Sequence, residues 1–219
     1  MTTEGGEGKG RGRVAGVIPA AGASSRMGRS KALLRTNERS FIAATVHALR
    51  HGGCRPVVVV LPPGRDEETR AAVAAGAVTL PNPDPGEGPI TSLRVALEAL
   101  GDGIDGMAVL PVDHPLVRPA TVRALLEAFH ESRAPVVLPT HEGGRGHPGL
   151  FRRSVFPELL DPDLEGGART VVHAHLADTR LVPVDDPGVR ADIDTPEAYR
   201  AAFPGRWPER AGPAGDGSP

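Results

Sequence analysis

Cysteine is almost absent from this 219-residue sequence. The single cysteine, Cys54, cannot form an intramolecular disulfide or, alone, a thiolate metal site, which suits a reducing compartment. It lies between a glycine pair and a predicted strand, so we expect a buried and unreactive thiol. We expect no zinc site, because His173 and His175 would point in different directions on either a strand or a helix.

Long apolar segments and an excess of positive charge are also missing. No segment approaches the roughly 18 consecutive apolar residues of a membrane helix, and the polar, glycine-rich N-terminus lacks the apolar core of a signal peptide. We therefore expect a cytoplasmic protein without a membrane partner. The formal net charge of −2 gives no overall basic field, so we also expect no nucleic-acid partner. Any anion-binding site must be local.

Aromatic residues make up only 3% of the sequence, so alanine, valine and leucine must fill the core. The chain length is typical of one domain. We predict that this domain covers residues 13–204. Polar tails, predicted to be disordered, flank it at residues 1–12 and 205–219.

Short apolar runs alternate with helical patterns along the predicted domain. Apolar residues at helical spacing indicate helices around 42–49, 93–100 and 122–129. This alternation predicts an α/β fold with three layers, α/β/α, around a mostly parallel twisted sheet. Ligands of such sheets bind beyond the carboxyl ends of the strands. The predicted strands are residues 13–19, 55–61, 77–81, 106–113, 134–140 and 179–185.

The first predicted strand leads into the segment AAGASSRMGRSK, residues 20–31. Its small residues let backbone N–H groups approach phosphates, and Arg26 and Lys31 supply positive charge. The spacing does not fit a P-loop, because Gly28 is followed by Arg-Ser-Lys rather than by Lys-Ser or Lys-Thr. It does not fit a dinucleotide fingerprint either, because Ser24 stands where the second glycine is required.

The segment does match Ala-Ala-Gly-x-Ser-x-Arg-Met-Gly-x-x-Lys. It therefore resembles the signature loop of nucleotidyltransferases with the nucleotide-diphospho-sugar transferase fold. Within this fold it is similar to the MobA-like proteins, which transfer nucleotides to the molybdenum cofactor, and among them it resembles the cytidylyltransferases. The nucleotide-binding residues that this resemblance implies are Ala20, Ala21, Gly22, Ala23, Ser24, Arg26, Lys31, Asn82 and Ser92.

Two later motifs of the same family carry carboxylates. Asp113 opens an Asp-x-Pro motif after an apolar strand, and Asp192 and Asp194 belong to DIDTPEAY, in which Ala198 replaces the family's last acid. Each carboxylate taken alone also suits a turn or a helix cap. The resemblance implies that the three aspartates hold Mg²⁺, with Asp192 favoured over Asp194 as the partner of Asp113. It also implies that Arg26, Lys31 and Asp113 are catalytic.

Two further segments resemble the family's acceptor-facing regions. GHPGLF contains His147, and GGAR contains Arg169 but lacks the aspartate that usually precedes it. We expect His147 and Arg169 to contact the acceptor. The segment GPITSL, which carries Ser92, resembles a helix start that faces the nucleotide and equally suits plain capping.

The resemblance implies an enzyme that moves a nucleoside monophosphate, CMP from CTP, onto a phosphorylated acceptor and releases pyrophosphate. The expected partners are CTP or another NTP, the molybdenum cofactor as acceptor, and a molybdoenzyme that receives the product. Ala21 favours CTP, because the guanylyl-transferring branch has Gly there and a methyl group takes space from a purine. The alternatives are a sugar- or alcohol-phosphate cytidylyltransferase or guanylyltransferase, an NAD(P)H-dependent oxidoreductase, and a non-catalytic nucleotide-binding cofactor carrier.

Overall fold

The apolar segments of the chain form one sheet. The computed structural model describes residues 12–20 and 30–206, and within these residues the sheet has eight strands. The strands are β1 Val14–Pro19, β2 Val57–Leu61, β3 Val78–Pro81, β4 Gly106–Val109, β5 Val136–His141, β6 Gly144–Arg145, β7 Gly149–Arg152 and β8 Arg180–Pro183. β1, β2 and β4 are buried almost throughout, which explains why they are apolar without alternation.

The strand order brings the ends of several strands to one edge of the sheet. The order is β3-β2-β1-β4-β7-β5-β6, with β8 paired to β5. β1 to β4 are parallel to one another, and β7 runs antiparallel between β4 and β5. The first residue of β7, Gly149, therefore pairs with the last residue of β4, Val109. The amino end of β7 thus lies at the same edge as the carboxyl ends of the parallel strands.

Helices cover both faces of the sheet. The three predicted helical patterns form α1, α3 and α4, and Ser40 caps α1 as its position before the apolar pattern suggests. None of the helices in the described part of the chain is long and apolar enough to cross a membrane. The helices of that part are α1 Phe41–Gly52, α2 Asp66–Ala74, α3 Pro89–Leu100, α4 Pro119–Glu131, α5 Phe156–Leu160, α6 Ala168–Ala174 and α7 Pro196–Ala202.

Alternate residues of the central strands build two separate cores. Ile18 of β1 packs in the core that contains α1 and α4, whereas Val17 packs in the core that contains α3 and α5. Cys54 is fully buried in the first core, as predicted, and burial raises the pKa of its thiol to about 12. The three-layer α/β/α architecture predicted from the sequence is confirmed.

Two details of the sequence prediction are wrong. β4 ends at Val109 and not at Asp113, because Pro111 has no N–H group with which to continue the ladder, so Asp113 lies in the following turn. β6 and β7 were not predicted, since the glycines and the proline of residues 143–149 argue locally against a strand. The predicted tails lie almost entirely outside the described residues and stay predictions.

A buried carboxylate fastens the segment after β8 to the start of α4. Asp186 is 2% exposed and accepts hydrogen bonds from the backbone N–H groups of Arg118 and Gly188 and from the hydroxyl of Thr121. Arg118 is the N-cap residue of α4, so Asp186 satisfies donors at the end of that helix. The same chain segment continues to residues 192–194, and these bonds therefore help to fix where those residues lie.

We predict that Asp186→Asn lowers the free energy of unfolding by about 2 kcal/mol, because one acceptor oxygen becomes an N–H₂ group that faces other donors. For a chain of this size the midpoint of thermal unfolding should fall by about 4–8 °C. Circular dichroism during heating measures the change. Asp185→Asn, at the exposed neighbouring position, is the control. Equal midpoints for the two variants would contradict the anchoring role of Asp186.

Candidate functional site

Three carboxylates from two distant parts of the chain meet at the carboxyl edge of the sheet. Asp113 lies in the turn after β4, and Asp192 and Asp194 lie between β8 and α7. The backbone N–H of Ile193 donates a 3.0 Å hydrogen bond to the carbonyl of Asp113, which joins the two segments. One oxygen of each carboxylate lies within 4.8 Å of an oxygen of the other two. The structure thus brings together all three predicted metal ligands.

Two side chains compensate the negative charge of this cluster. The ammonium group of Lys31 lies 3.3 Å from Oδ2 of Asp113 and donates a hydrogen bond to Oδ1 of Asp194. His114 is buried, and its Nδ1 donates a 3.0 Å hydrogen bond to the other oxygen of Asp113. Both oxygens of Asp113 are therefore held, so its carboxylate has a fixed orientation.

Two carboxyl groups of the cluster, those of Asp113 and Asp192, differ in their pKa. Burial works to raise the pKa of Asp113, but the hydrogen bond and charge of His114 and the charge of Lys31 lower it to about 2. Desolvation, the charges of Asp113 and Asp194 and a hydrogen bond with Asp194 raise the pKa of Asp192 to about 6. Burial opposes the ionised form of Lys31, yet its bonds and charge contacts with Asp194 and Asp113 raise its pKa above the ordinary value.

The cluster has the donor set of a hard divalent cation. Magnesium and manganese prefer carboxylate oxygens, and three such oxygens lie close enough to surround one ion. Asp192 is exposed, so the cluster is open to solvent and to a substrate. Asp113, Asp192 and Asp194 are the residues that could hold the ion.

A cavity of about 210 Å³ extends from this cluster across the ends of β1 and β2. Ala20, Lys31, Ser92 and Asp113 line it, as predicted for nucleotide-binding or catalytic residues. Arg65 and Glu68 also line it and were not predicted. They lie in the segment that follows the buried strand β2, at the N-cap and in the first turn of α2, and this position could have indicated them, since ligands of parallel sheets bind at strand ends.

The predicted nucleotide-binding residue Asn82 lies behind the cavity wall. It is fully buried, and its Nδ2 donates hydrogen bonds of 2.8 Å and 3.1 Å to the hydroxyls of Thr91 and Ser92. Its Oδ1 accepts a hydrogen bond from the backbone N–H of Asp84. Asn82 therefore holds the start of α3, where Ser92 reaches the cavity. A direct contact of Asn82 with the nucleotide stays a prediction.

The remaining predicted residues of the first loop lie outside the described part of the chain. Ala20 and Lys31 stand on either side of it, and both line the cavity. The roles of the residues between them stay predictions. These residues are Ala21, Gly22, Ala23, Ser24 and Arg26.

A second cavity, of about 510 Å³, is lined by His114, the residue after Asp113. It is lined by His147 and Arg169, the two predicted acceptor-binding residues, and by apolar side chains that include Phe151. Arg145 and Arg190 add positive charge to its wall and were not predicted. Arg145 lies directly before the GHPGLF motif, which drew attention to its histidine alone.

Two packed histidines connect the carboxylate cluster to the second cavity. The rings of His114 and His147 have centroids 4.6 Å apart and meet edge to face. Burial and the charge of His114 lower the pKa of His147 to about 4, although Asp113 and the Val109 backbone act in the opposite direction. His147 is thus neutral at pH 7. The carboxylate cluster and the second cavity are therefore in contact through two packed imidazoles.

Residues 16–179 match the family model of the MobA-like NTP transferase domain. The chain is 30% identical over 195 residues to a probable molybdenum cofactor guanylyltransferase of Mycobacterium avium (strain 104), covering 86% of this chain and 94% of the relative. It is 24% identical over 187 residues to the molybdenum cofactor cytidylyltransferase of Escherichia coli (strain K12), covering 85% and 93%.

Solved structures show the same likeness. The crystal structure of Rv0371c from Mycobacterium tuberculosis H37Rv superposes with a TM-score of 0.73 at 31% identity, covering 87% of this chain and 97% of that chain. A structure of Rv0371c in complex with manganese gives a TM-score of 0.71 at 27% identity with the same coverage. The predicted nucleotide-diphospho-sugar transferase type of fold is confirmed.

We predict that Mn²⁺ binding weakens as the pH falls below about 6, because a proton on Asp192 then competes with the ion. The apparent Kd, measured by calorimetry, should be constant above about pH 7 and rise about tenfold per unit below pH 6. Asp192→Asn should bind Mn²⁺ more weakly and lose this dependence. A wild-type Kd independent of pH between 5 and 7 would contradict it.

The same carboxyl group predicts a stability effect in the ion-free protein. Because the pKa of Asp192 is raised in the folded state, the folded chain binds this proton more tightly than the unfolded chain does. The contribution of Asp192 to the stability of the wild type therefore grows as the pH falls from about 6 to 4, and Asp192→Asn should unfold at a higher temperature than the wild type at pH 8. The difference should vanish near pH 4.

Lys31→Met tests whether the ammonium group and a metal ion share the carboxylates. Without nucleotide, this variant should bind Mn²⁺ about tenfold more tightly, because the three carboxylates lose a compensating charge. Arg35→Met, at an exposed position of the same segment, is the control and should leave the Kd unchanged. Unchanged or weaker binding by Lys31→Met would show that the two cations do not compete.

Proposed function

Because the chain belongs to the MobA-like NTP transferase family, we propose that it transfers CMP from CTP to the molybdenum cofactor and releases pyrophosphate. The observation that carries the proposal is the cluster of Asp113, Asp192 and Asp194 with Lys31, which lies between two cavities of different character. Such an arrangement suits a nucleotide on one side, an acceptor on the other and the reacting phosphorus between them.

The proposed reaction forms one bond and breaks one bond. An oxygen of the acceptor phosphate attacks the α-phosphorus of CTP, and the bond from that phosphorus to the oxygen bridging the α- and β-phosphates breaks. The electron pair leaves with pyrophosphate. A phosphate monoester is largely ionised at pH 7, since its second pKa is about 6, so no protein group has to remove a proton. Catalysis then consists of alignment and charge stabilisation.

The carboxylate cluster, the residues that line the first cavity and the first loop would divide this work. Asp113, Asp192 and Asp194 would hold Mg²⁺, which supplies positive charge to the nucleotide phosphates when bound. The manganese complex of Rv0371c supports a divalent ion in proteins of this fold. Lys31, already charged beside the cluster, would stabilise the developing negative charge, and Arg26 is proposed to act with it. Ala20, Ser92 and the first loop would bind the nucleoside and its phosphates.

The second cavity has the composition expected of an acceptor site. Arg145, Arg169 and Arg190 line it beside apolar side chains, which suits a ligand with a phosphate group and a flat heterocyclic ring. Its neutral His147 offers a hydrogen-bonding edge without adding charge. These features support a phosphorylated pterin-type acceptor over a sugar phosphate, which has no apolar ring to bury.

GTP is the second candidate donor. The guanylyltransferase of Mycobacterium avium supports it through 30% identity, whereas the alanine at position 21 and the cytidylyltransferase of Escherichia coli support CTP. A methyl-sized difference in a pocket corresponds to about 10 to 200-fold discrimination. We therefore propose a preference for CTP within that range.

A pyrophosphate-release assay tests the proposed function. The purified chain is incubated with Mg²⁺, one of the four NTPs, and the molybdenum cofactor, a sugar phosphate or methylerythritol phosphate as acceptor. We expect release with CTP and the molybdenum cofactor, and at least a 100-fold loss in Asp113→Asn but not in the exposed control Asp185→Asn. A preference for GTP would indicate that the chain transfers GMP instead of CMP.

Other outcomes of the assay identify the alternatives. Nucleotide binding without pyrophosphate release under any combination would favour a carrier of the cofactor. Saturable NADPH binding together with dye reduction would favour an oxidoreductase. Full activity in Asp113→Asn would show that the carboxylate cluster is not the metal site.

A further inference from the structure

Glu68 is a buried carboxylate without a hydrogen bond from the described residues. Its side chain is 7% exposed, and its one ion-pair contact there is with Arg65, at 3.5 Å. Both residues line the first cavity, and Arg65 is about half exposed. Neither carboxylate oxygen is among the fully buried polar atoms that lack a partner in the described residues, so the small exposed part of this side chain includes its oxygens, which reach the cavity. A carboxylate that is mostly buried and has no donor from the described residues contributes little to stability, so its position needs another reason.

Asp186 shows what a structural buried carboxylate looks like in this chain. It accepts three hydrogen bonds, from two backbone N–H groups and one hydroxyl. Glu68 has no such set, and the first turn of α2 does not require it, because Asp66 and Glu67 already place acidic groups there. The carboxylate of Glu68 is therefore left with acceptor capacity that faces the cavity.

The strand order places Glu68 and the carboxylate cluster on opposite sides of β1. The carboxylate cluster lies after β4, on one side of β1, and Glu68 follows β2, on the other side of β1. The cavity connects these two ends past Pro19 and Ala20. With the phosphates at the cluster, as the proposed function requires, the base lies toward Arg65 and Glu68.

We propose that Glu68, together with Arg65, recognises the hydrogen-bonding edge of the cytosine base. The carboxylate accepts an N–H bond from the exocyclic amino group, and the guanidinium donates to the neighbouring ring nitrogen and carbonyl oxygen. Uracil presents a carbonyl oxygen where cytosine has the amino group, so it faces the carboxylate with an acceptor. This pair would thus discriminate CTP from UTP, a choice on which the size of the pocket has no effect.

The test compares nucleotide binding by Glu68→Gln and by the control Glu67→Gln, which changes an exposed residue of the same turn. Calorimetry with CTP, UTP and GTP in the presence of Mg²⁺ and without acceptor gives the Kd values. The wild type should prefer CTP over UTP. In Glu68→Gln the ratio of the Kd for UTP to the Kd for CTP should fall at least tenfold, because the new amide can also donate to the uracil carbonyl. In Glu67→Gln this ratio should not change.

Two further measurements keep the result interpretable. Arg65→Met, which changes a half-exposed side chain, should weaken CTP binding about tenfold and leave the thermal midpoint unchanged. Glu68→Gln should unfold at the wild-type temperature or above, because a buried charge is removed. If Glu68→Gln folds and keeps the wild-type ratio of CTP to UTP affinity, the inference is wrong. It is also wrong if this variant changes the affinity for GTP and leaves the affinities for CTP and UTP unchanged.

The inference rests on the proposed nucleotide site but fails separately from the proposed reaction. A narrowed CTP preference without pyrophosphate release by the wild type would support the base contact and refute the transferase activity. Pyrophosphate release with a base preference that Glu68→Gln leaves intact would support the activity and refute the contact.

Discussion

Mutual repulsion of three carboxylates is the constraint on which the site depends. Asp113, Asp192 and Asp194 lie within 4.8 Å of one another although they come from segments about 80 residues apart. Lys31 and His114 offset the repulsion from two sides, and the backbone bond between Ile193 and Asp113 holds the segments together. Lys31 also lines the first cavity, so the ammonium group that offsets the repulsion of the cluster is exposed to a ligand of that cavity. Stabilisation of the cluster and the charge of the cavity wall thus depend on one side chain.

The part of this site that follows from local sequence rules is the position of Asp113 and of the first loop. Both come directly after apolar strands, and parallel strands end at a common edge. The proximity of Asp192 and Asp194 to Asp113, on which their proposed role as metal ligands depends, could be inferred only by resemblance, because no local pattern indicates that a turn late in the chain packs against Asp113. The hydrogen bonds of Asp186 help to fix this segment, but its position in the sequence is typical of an ordinary turn residue.

Other features escaped prediction because they depend on burial and direction. Glu68 lies in a run of charged residues that is typical of a solvated helix face, and only the packed structure shows that one of them points inward. Strand β7 was missed because its flanks contain glycine and proline, and its antiparallel direction is a property of the whole sheet. Arg145 and Arg190 are 45 positions apart in the sequence, and only the folded sheet shows that they line the same cavity.

The reversed direction of β7 also separates two kinds of sequence change. Residues 142–148 form the approach to β7 and lie beyond its first paired residue, Gly149. An insertion or substitution in that approach alters the wall around His147 without shifting any pair between β4 and the strands that carry the nucleotide cavity. The walls of the two cavities are therefore encoded in different stretches of chain, and descendants of one ancestral sequence can change the wall around His147 while they inherit the first cavity intact.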